Sequence, residues 1–185
     1  LKNNKYLFLI TLLYFALGFI NIHFSLLGLA CMAIPIILLI KDKKKTWCQG
    51  YCPRANLYTT CCKTKRKSAK KTPVFFIKGN MKWIMLAYFA INLLIIVVST
   101  IKVAGGSIAP MNYLRLLLIF PLDGEMPQLI EFENIAPWIT HLSYRFYSMM
   151  ATTTLLGLIL AFIYKPRTWC TICPIATVSD VYIKS

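Results

Sequence analysis

The sequence predicts an all-α membrane protein: four transmembrane helices in two hairpins with a pseudo-two-fold repeat, N and C termini cytoplasmic. Three observations carry this reading. The 185 residues are 58% hydrophobic with a mean hydropathy of +0.62, above the roughly 45–50% apolar content of soluble domains. Four apolar segments approach the roughly 17–25 residues a helix needs to cross a hydrocarbon core of about 30 Å. The formal net charge of +15 gathers on one side of those segments. At this length a single membrane domain over residues 1–185 is expected.

The first predicted span, residues 6–22, is YLFLITLLYFALGFINI. Lys2 and Lys5 precede it as in a secretory leader, but no small-residue cleavage site follows before the next apolar run, so it reads as a retained helix. The second span, residues 24–40, is FSLLGLACMAIPIILLI, and the short link around Asn21 and His23 makes the two an antiparallel hairpin. WIMLAYFAINLLIIVVSTI over residues 83–101 and FYSMMATTTLLGLILAFIY over 146–164 form the second pair. Helix pairs of this kind suit a parallel repeat.

Charge sets the expected orientation. All 21 Lys and Arg residues except Lys102, Arg115 and Arg145 fall at the N-terminus, in the 41–82 loop or in the 165–185 tail, beside only Asp42 and Asp180. Cytoplasmic loops concentrate Lys and Arg, so both cysteine-bearing loops read as cytoplasmic, and the 105–144 insert as external. Within the insert, MNYLRLLLIFPL is too short to span and ends at Pro121, which predicts an interfacial helix. NIAPWITHL reads as a second such piece, with Trp138 at headgroup depth, and Gly105–Gly106 as a flexible helix end. The basic stretch CCKTKRKSAKK serves either as a positive-inside signal beside anionic lipid or as a docking face for an acidic electron carrier. The basic residues follow one membrane face without a nucleic-acid motif, so nucleic acid is not an expected partner.

Two phrases repeat across more than a hundred residues: KTWCQGYCPRA and RTWCTICPIA. Each begins at the end of an apolar span and passes through a basic patch. Together they supply Cys48, Cys52, Cys170 and Cys173, four thiolates on the side where reducing conditions favour metal or redox chemistry over disulfides. Four cysteines satisfy a [4Fe–4S] or a [2Fe–2S] cluster, with [4Fe–4S] favoured here, and a tetrahedral Zn²⁺ site is the alternative. Pro53 and Pro174 suit the first position of a helix, so Cys52 and Cys173 are expected at helix N-termini, where free N–H groups favour anionic sulfur. Arg54, Lys45, Lys165 and Arg167 would offset the negative charge of a four-thiolate centre. Trp47 and Trp169 would shield it from water or anchor the chain at the interface.

The remaining cysteines and the histidines are read separately. Cys31 is expected to be a small core residue. Cys61 and Cys62 could be spare ligands, lipidation sites or redox thiols. His23 and His141, the only histidines, fall on the external side in this topology. There they could hold a haem or line a quinone site, or serve as interfacial polar residues.

With these motifs, WCQGYCPRANL (Trp47–Leu57) and TWCTICPIATV (Thr168–Val178), the chain resembles the NapH/NosR-type membrane iron–sulfur proteins, a minimal form of their polyferredoxin-like membrane domain. The resemblance implies a membrane electron-transfer protein that exchanges electrons with a quinol or flavin partner. The second motif has two residues between its cysteines where the first has three. The C-x₂-C-x₂-C-x₃-C-P module that follows in typical relatives is absent from these residues, which predicts a relay that borrows its soluble redox partners from other subunits.

The expected function is therefore electron transfer at the cytoplasmic face of the cell membrane, within a larger redox complex, with a ferredoxin or flavoprotein as cytoplasmic carrier. The alternative is a non-catalytic membrane anchor with a structural Cys₄ zinc site. The spans nearly lack ionisable residues, which disfavours a transporter. No paired carboxylates, nucleophile–base pair or phosphate loop points to catalysis by this chain itself.

Overall fold

The computed structural model describes residues 6–63, 70–117, 120–125, 128–129 and 135–184. Lys2, Lys5, the basic run within 64–69, Glu131 and Glu133 lie outside the described residues. The chain is mostly helical: α1 (Leu7–Ile20), α2 (Leu27–Asp42), α3 (Pro53–Cys61), α4 (Val74–Lys78), α5 (Met81–Ala104), α6 (Pro137–Ile163), α7 (Thr168–Ile172) and α8 (Pro174–Lys184). Two strands, β1 (Tyr113–Leu116) and β2 (Phe120–Glu125), form an antiparallel hairpin between α5 and α6.

Among the described residues, three helices are long and apolar enough to cross a membrane: Ile22–Asp42, which joins a 3₁₀ turn to α2, then α5 and α6. They coincide with the predicted second, third and fourth spans and start earlier than predicted, α6 by nine residues. α1 occupies the place of the predicted first span, but its 14 residues reach only about 21 Å at 1.5 Å per residue. Large apolar side chains such as Leu94 and Ile101 on α5 stay exposed. That is compatible with a membrane setting, where such surface carries no penalty.

Contacts divide the described residues into two compact units. One holds residues up to Thr11, Cys31–Phe89 and Thr154 onward; the other holds Leu12–Ala30 and Ala90–Thr153. α1, α2, α5 and α6 contribute to both.

In the second of these units the expected tight turn is present. Fully buried Asn21 has extended backbone, and its side chain accepts the His23 N–H at 2.8 Å. α5 ends at a Schellman cap, with Gly106 at φ +73°, Gly106 N–H donating to Val103 and Ser107 N–H to Lys102, a backbone state that glycine adopts without a Cβ penalty. The core gathers Ile22, Met111, Tyr144 and Tyr147.

Two expectations for the insert are corrected here. MNYLRLLLIFPL does not form an interfacial helix; among its described residues are β1 and the start of β2. The reason lies in partners distant in sequence. Backbone N–H groups of Met111, Arg115 and Leu117 donate to His141, Ser148 and Thr152 on α6, so extended chain satisfies the donors that a helix would have used internally. NIAPWITHL is not a separate piece either, because from Pro137 onward it is the start of α6. Pro137 opens that helix at the position where a missing N–H costs nothing.

The unit that carries the cysteine motifs has its own core of Tyr58, Cys62, Ala161, Trp169 and Ile172, with Phe76, Met85 and Leu156 packed against it. α4 packs on α7, and Thr72 shares a 2.9 Å hydrogen bond with buried Thr168.

Candidate metal centre

The two cysteine phrases fold into matching local structures. Cys52 sits at the N-cap of α3, with φ −69° and ψ 110°, and Pro53 follows at the helix start. Cys173, with φ −61° and ψ 131°, stands directly before Pro174 and α8. A residue before proline is pushed out of the helical region into extended backbone, so the Cys–Pro dipeptide itself places the sulfur-bearing residue at the mouth of a helix. At Cys173 the backbone N–H groups of Ile175 and Ala176 point at the sulfur, as expected for a helix N-terminus.

The unequal gaps are reconciled by the backbone. Cys170 lies in α7, where two residues separate it from Cys173. Cys48 lies in a π-helical turn, Trp47–Tyr51, where three residues separate it from Cys52. A π turn accommodates one residue more per turn than an α turn. The extra residue of the first motif is thereby taken up in the backbone before Cys52.

Electrostatics ties the two motifs together. Burial pushes the Cys48 thiol up from an ordinary 9.0 to about 12, with further repulsion from Cys173 and Cys52 and partial relief from Lys45. Burial likewise pushes Cys170 up to about 12, and Cys52, Cys173 and Cys48 add to the shift while Arg167 opposes it. Burial also raises Cys173, against the Ala176 and Ile175 N–H groups and the Arg54 charge. All four motif sulfurs therefore feel one another, although 118 to 125 residues separate the pairs in sequence. Four thiolates crowded in a desolvated place require a strongly positive partner, and Cys₄ is a donor set suited to iron–sulfur or zinc. By donor chemistry the four cysteines fit such a group. Among the described residues, no three His, Cys, Asp or Glu side chains are gathered closely enough to grip one metal ion.

A cavity of about 220 Å³ opens beside the first motif, lined by Cys48, Cys52, Asn56, Thr60 and, from the second motif's loop, Arg167. Trp169 is 4% exposed within the core, whereas Trp47 is half-buried. Lys45 forms an ion pair with Asp180 on α8. Sequence reading singled out the lysine and missed its partner, although Asp180 is one of only two acids in the loops that carry these motifs.

The other candidates behave differently. Cys62 is buried against Trp169 and Ile172 as a core residue, and Cys61 beside it is exposed. Cys31, half-buried on α2, lies within electrostatic reach of Cys52 and Arg54. The histidines belong to the other unit. His23 Nδ1 pairs with Asn21 Oδ1 at 2.7 Å, and its Nε2 with Thr140 Oγ1 at 3.2 Å. His141 Nδ1 accepts the Met111 N–H at 3.1 Å, and its Nε2 meets Ser99 Oγ at 3.0 Å. Both ring nitrogens of each histidine are thus engaged with polar neighbours.

Sequence reading also missed Tyr58. It is fully buried beside the second motif, its phenol oxygen has no hydrogen-bond partner among the described residues, and Arg54, Cys52, Cys173 and Cys170 all act on it electrostatically. Nothing local in the sequence distinguishes it from the chain's other tyrosines.

Residues 24–67 and 147–185 match the family described as a 4Fe-4S binding domain. Each matched stretch runs from apolar helix through a Cys–Pro turn into a short helix. The match supports an iron–sulfur protein, points to a [4Fe–4S] cluster and suggests an electron-transfer role. No curated protein and no solved structure matches the chain.

Proposed function

We propose that Cys48, Cys52, Cys170 and Cys173 hold a [4Fe–4S] cluster, and that this chain is a membrane-embedded electron-transfer subunit of a larger redox complex with its cysteine loops on the cytoplasmic face. The observation that carries this reading is the match of residues 24–67 and 147–185, each of which contains a Cys–Pro helix start, to a 4Fe-4S binding domain. When bound, a cluster of this kind supplies one-electron transfer.

The chain's own residues account for the rest. Pro53 and Pro174 fix the sulfur-bearing turns. The Ile175 and Ala176 N–H groups favour thiolate at Cys173, while Lys45, Arg167 and Arg54 offset accumulated negative charge. Trp169, Ile172 and Cys62 form a dry wall behind the second motif. The basic loop suits an acidic ferredoxin or a flavoprotein by charge complementarity, and anionic lipid by the same property. Exchange with a quinone is in keeping with the NapH/NosR resemblance.

The zinc alternative draws on the same four cysteines, because Cys₄ suits tetrahedral Zn²⁺ as well; the match to a family described as a 4Fe-4S binding domain favours the cluster.

The test is EPR of anaerobically purified, dithionite-reduced protein together with iron, sulfide and zinc analysis. A reduced-cluster signal with four irons per chain supports the reading. Stoichiometric zinc without sulfide overturns it.

A further inference from the structure

A second feature lies in the other unit and does not depend on the cysteines. His141, Arg145, Ser148 and Thr152 are spaced i, i+4, i+7 and i+11 along α6, which places them on one helical face. Three of them receive backbone N–H groups from the segment that contains β1: Met111 to His141 at 3.1 Å, Arg115 to Ser148 at 3.1 Å and Leu117 to Thr152 at 3.4 Å. The strand is thereby laid along the face that also carries Arg145. Arg115 turns back over Tyr113, its guanidinium carbon 5.1 Å from the ring centroid and its Nη2 donating to the phenol oxygen.

Two like charges are thus brought together. The Nε atoms of Arg115 and Arg145 are both buried, and neither has an acceptor among the described residues. Neither guanidinium has an ion-pair partner among those residues, and Arg145 experiences the positive charge of Arg115. A desolvated cation without a counter-charge is costly. Both side chains are only half-buried, so a small anion has access. Guanidinium forks match phosphate oxygens in both geometry and charge.

We propose that Arg115 and Arg145 form an oxyanion site that takes a phosphate group, either a free phosphate ion or the headgroup of a phospholipid. Tyr113 supports it by holding the Arg115 guanidinium in place. Asp123 and Glu125 stand on β2, the strand paired with Tyr113 and Arg115, and their side chains, like Glu131 and Glu133, lie outside the described residues.

The test uses the full chain in a neutral detergent and follows its thermal unfolding midpoint. One arm titrates inorganic phosphate against chloride of equal ionic strength; the other titrates phosphatidylglycerol against uncharged diacylglycerol. A saturable rise with phosphate identifies the free ion, and a rise with phosphatidylglycerol alone identifies the headgroup. Arg145→Gln and Arg115→Gln should each weaken the response about tenfold or more. Should the Gln variants not fold, Arg145→Lys, which keeps the charge but loses the fork, should show a partial loss. Absence of any response in the wild type overturns the proposal, as does an undiminished response in the variants. So does an Asp123→Asn or Glu125→Gln variant as destabilised as Arg145→Gln with neither probe active, because the counter-charge would then be internal.

Discussion

The phenol of Tyr58 lies against Gly157 so closely that a Cβ built on the glycine would stand 2.2 Å from the phenol oxygen. Tyr58 belongs to α3, the helix that Cys52 caps, and Gly157 to α6, the helix that leads to the second motif. The absent side chain at 157 is what lets these two elements of one unit approach.

Gly157→Ala should therefore displace a fully buried ring and destabilise the protein by about 1–3 kcal/mol, the usual cost of overpacking. Thermal unfolding of the purified variant measures it, and bound iron should fall in parallel. A double variant with Tyr58→Leu should recover part of the loss, because contacting residues couple.

Tyr58→Phe should behave in the opposite way. The hydroxyl is buried with no partner among the described residues, and removing an unsatisfied polar atom while keeping its shape is neutral or stabilising. An unchanged or higher unfolding midpoint is the expected result.

Cys52→Ser and Cys173→Ser should each abolish the visible chromophore and most of the iron. Cys31→Ser and Cys61→Ser should retain both. Iron analysis beside the absorption spectrum separates ligand loss from misfolding, since a folded variant without iron keeps its helical circular dichroism.

In metal-free protein the thiols of Cys48 and Cys170 stand at about 12 instead of 9.0. Near pH 8 that leaves about a thousandfold fewer thiolates at each, and the thiolate is the nucleophile. Alkylation at pH 8 followed by mass spectrometry should accordingly label exposed Cys61 well before either of them. The linkage has a definite sign. A raised folded-state value means the fold favours the thiol, so this stability is whole below about pH 9 and fades as pH climbs toward 12. Cluster assembly runs the other way, because it consumes thiolates. The apo protein should weaken over that alkaline window, and Cys48→Ser or Cys170→Ser should reduce the weakening.

Much of this site was legible in the residues themselves. Proline after cysteine dictates an extended residue and then a helix, so the placement of Cys52 and Cys173 follows from dipeptides. Glycine at 106 and asparagine at 21 marked a helix end and a tight turn by the same local logic. Other features depended on partners far along the chain. A short apolar run such as YLRLLLIF suits strand and helix alike, and only α6 side chains decide between them. Tyr58 and Asp180 acquire meaning through Gly157 and Lys45, which no local pattern connects to them.

The π turn at Trp47–Tyr51 has a consequence for finding related centres in unfamiliar sequences. One added residue is absorbed as a wider coil upstream of the proline, so distance between sulfurs along the chain is a poor search key here. A pattern with a fixed gap would retain one half of this centre and discard the other. A pattern anchored on cysteine followed by proline, with a tolerant gap before it, would recover both.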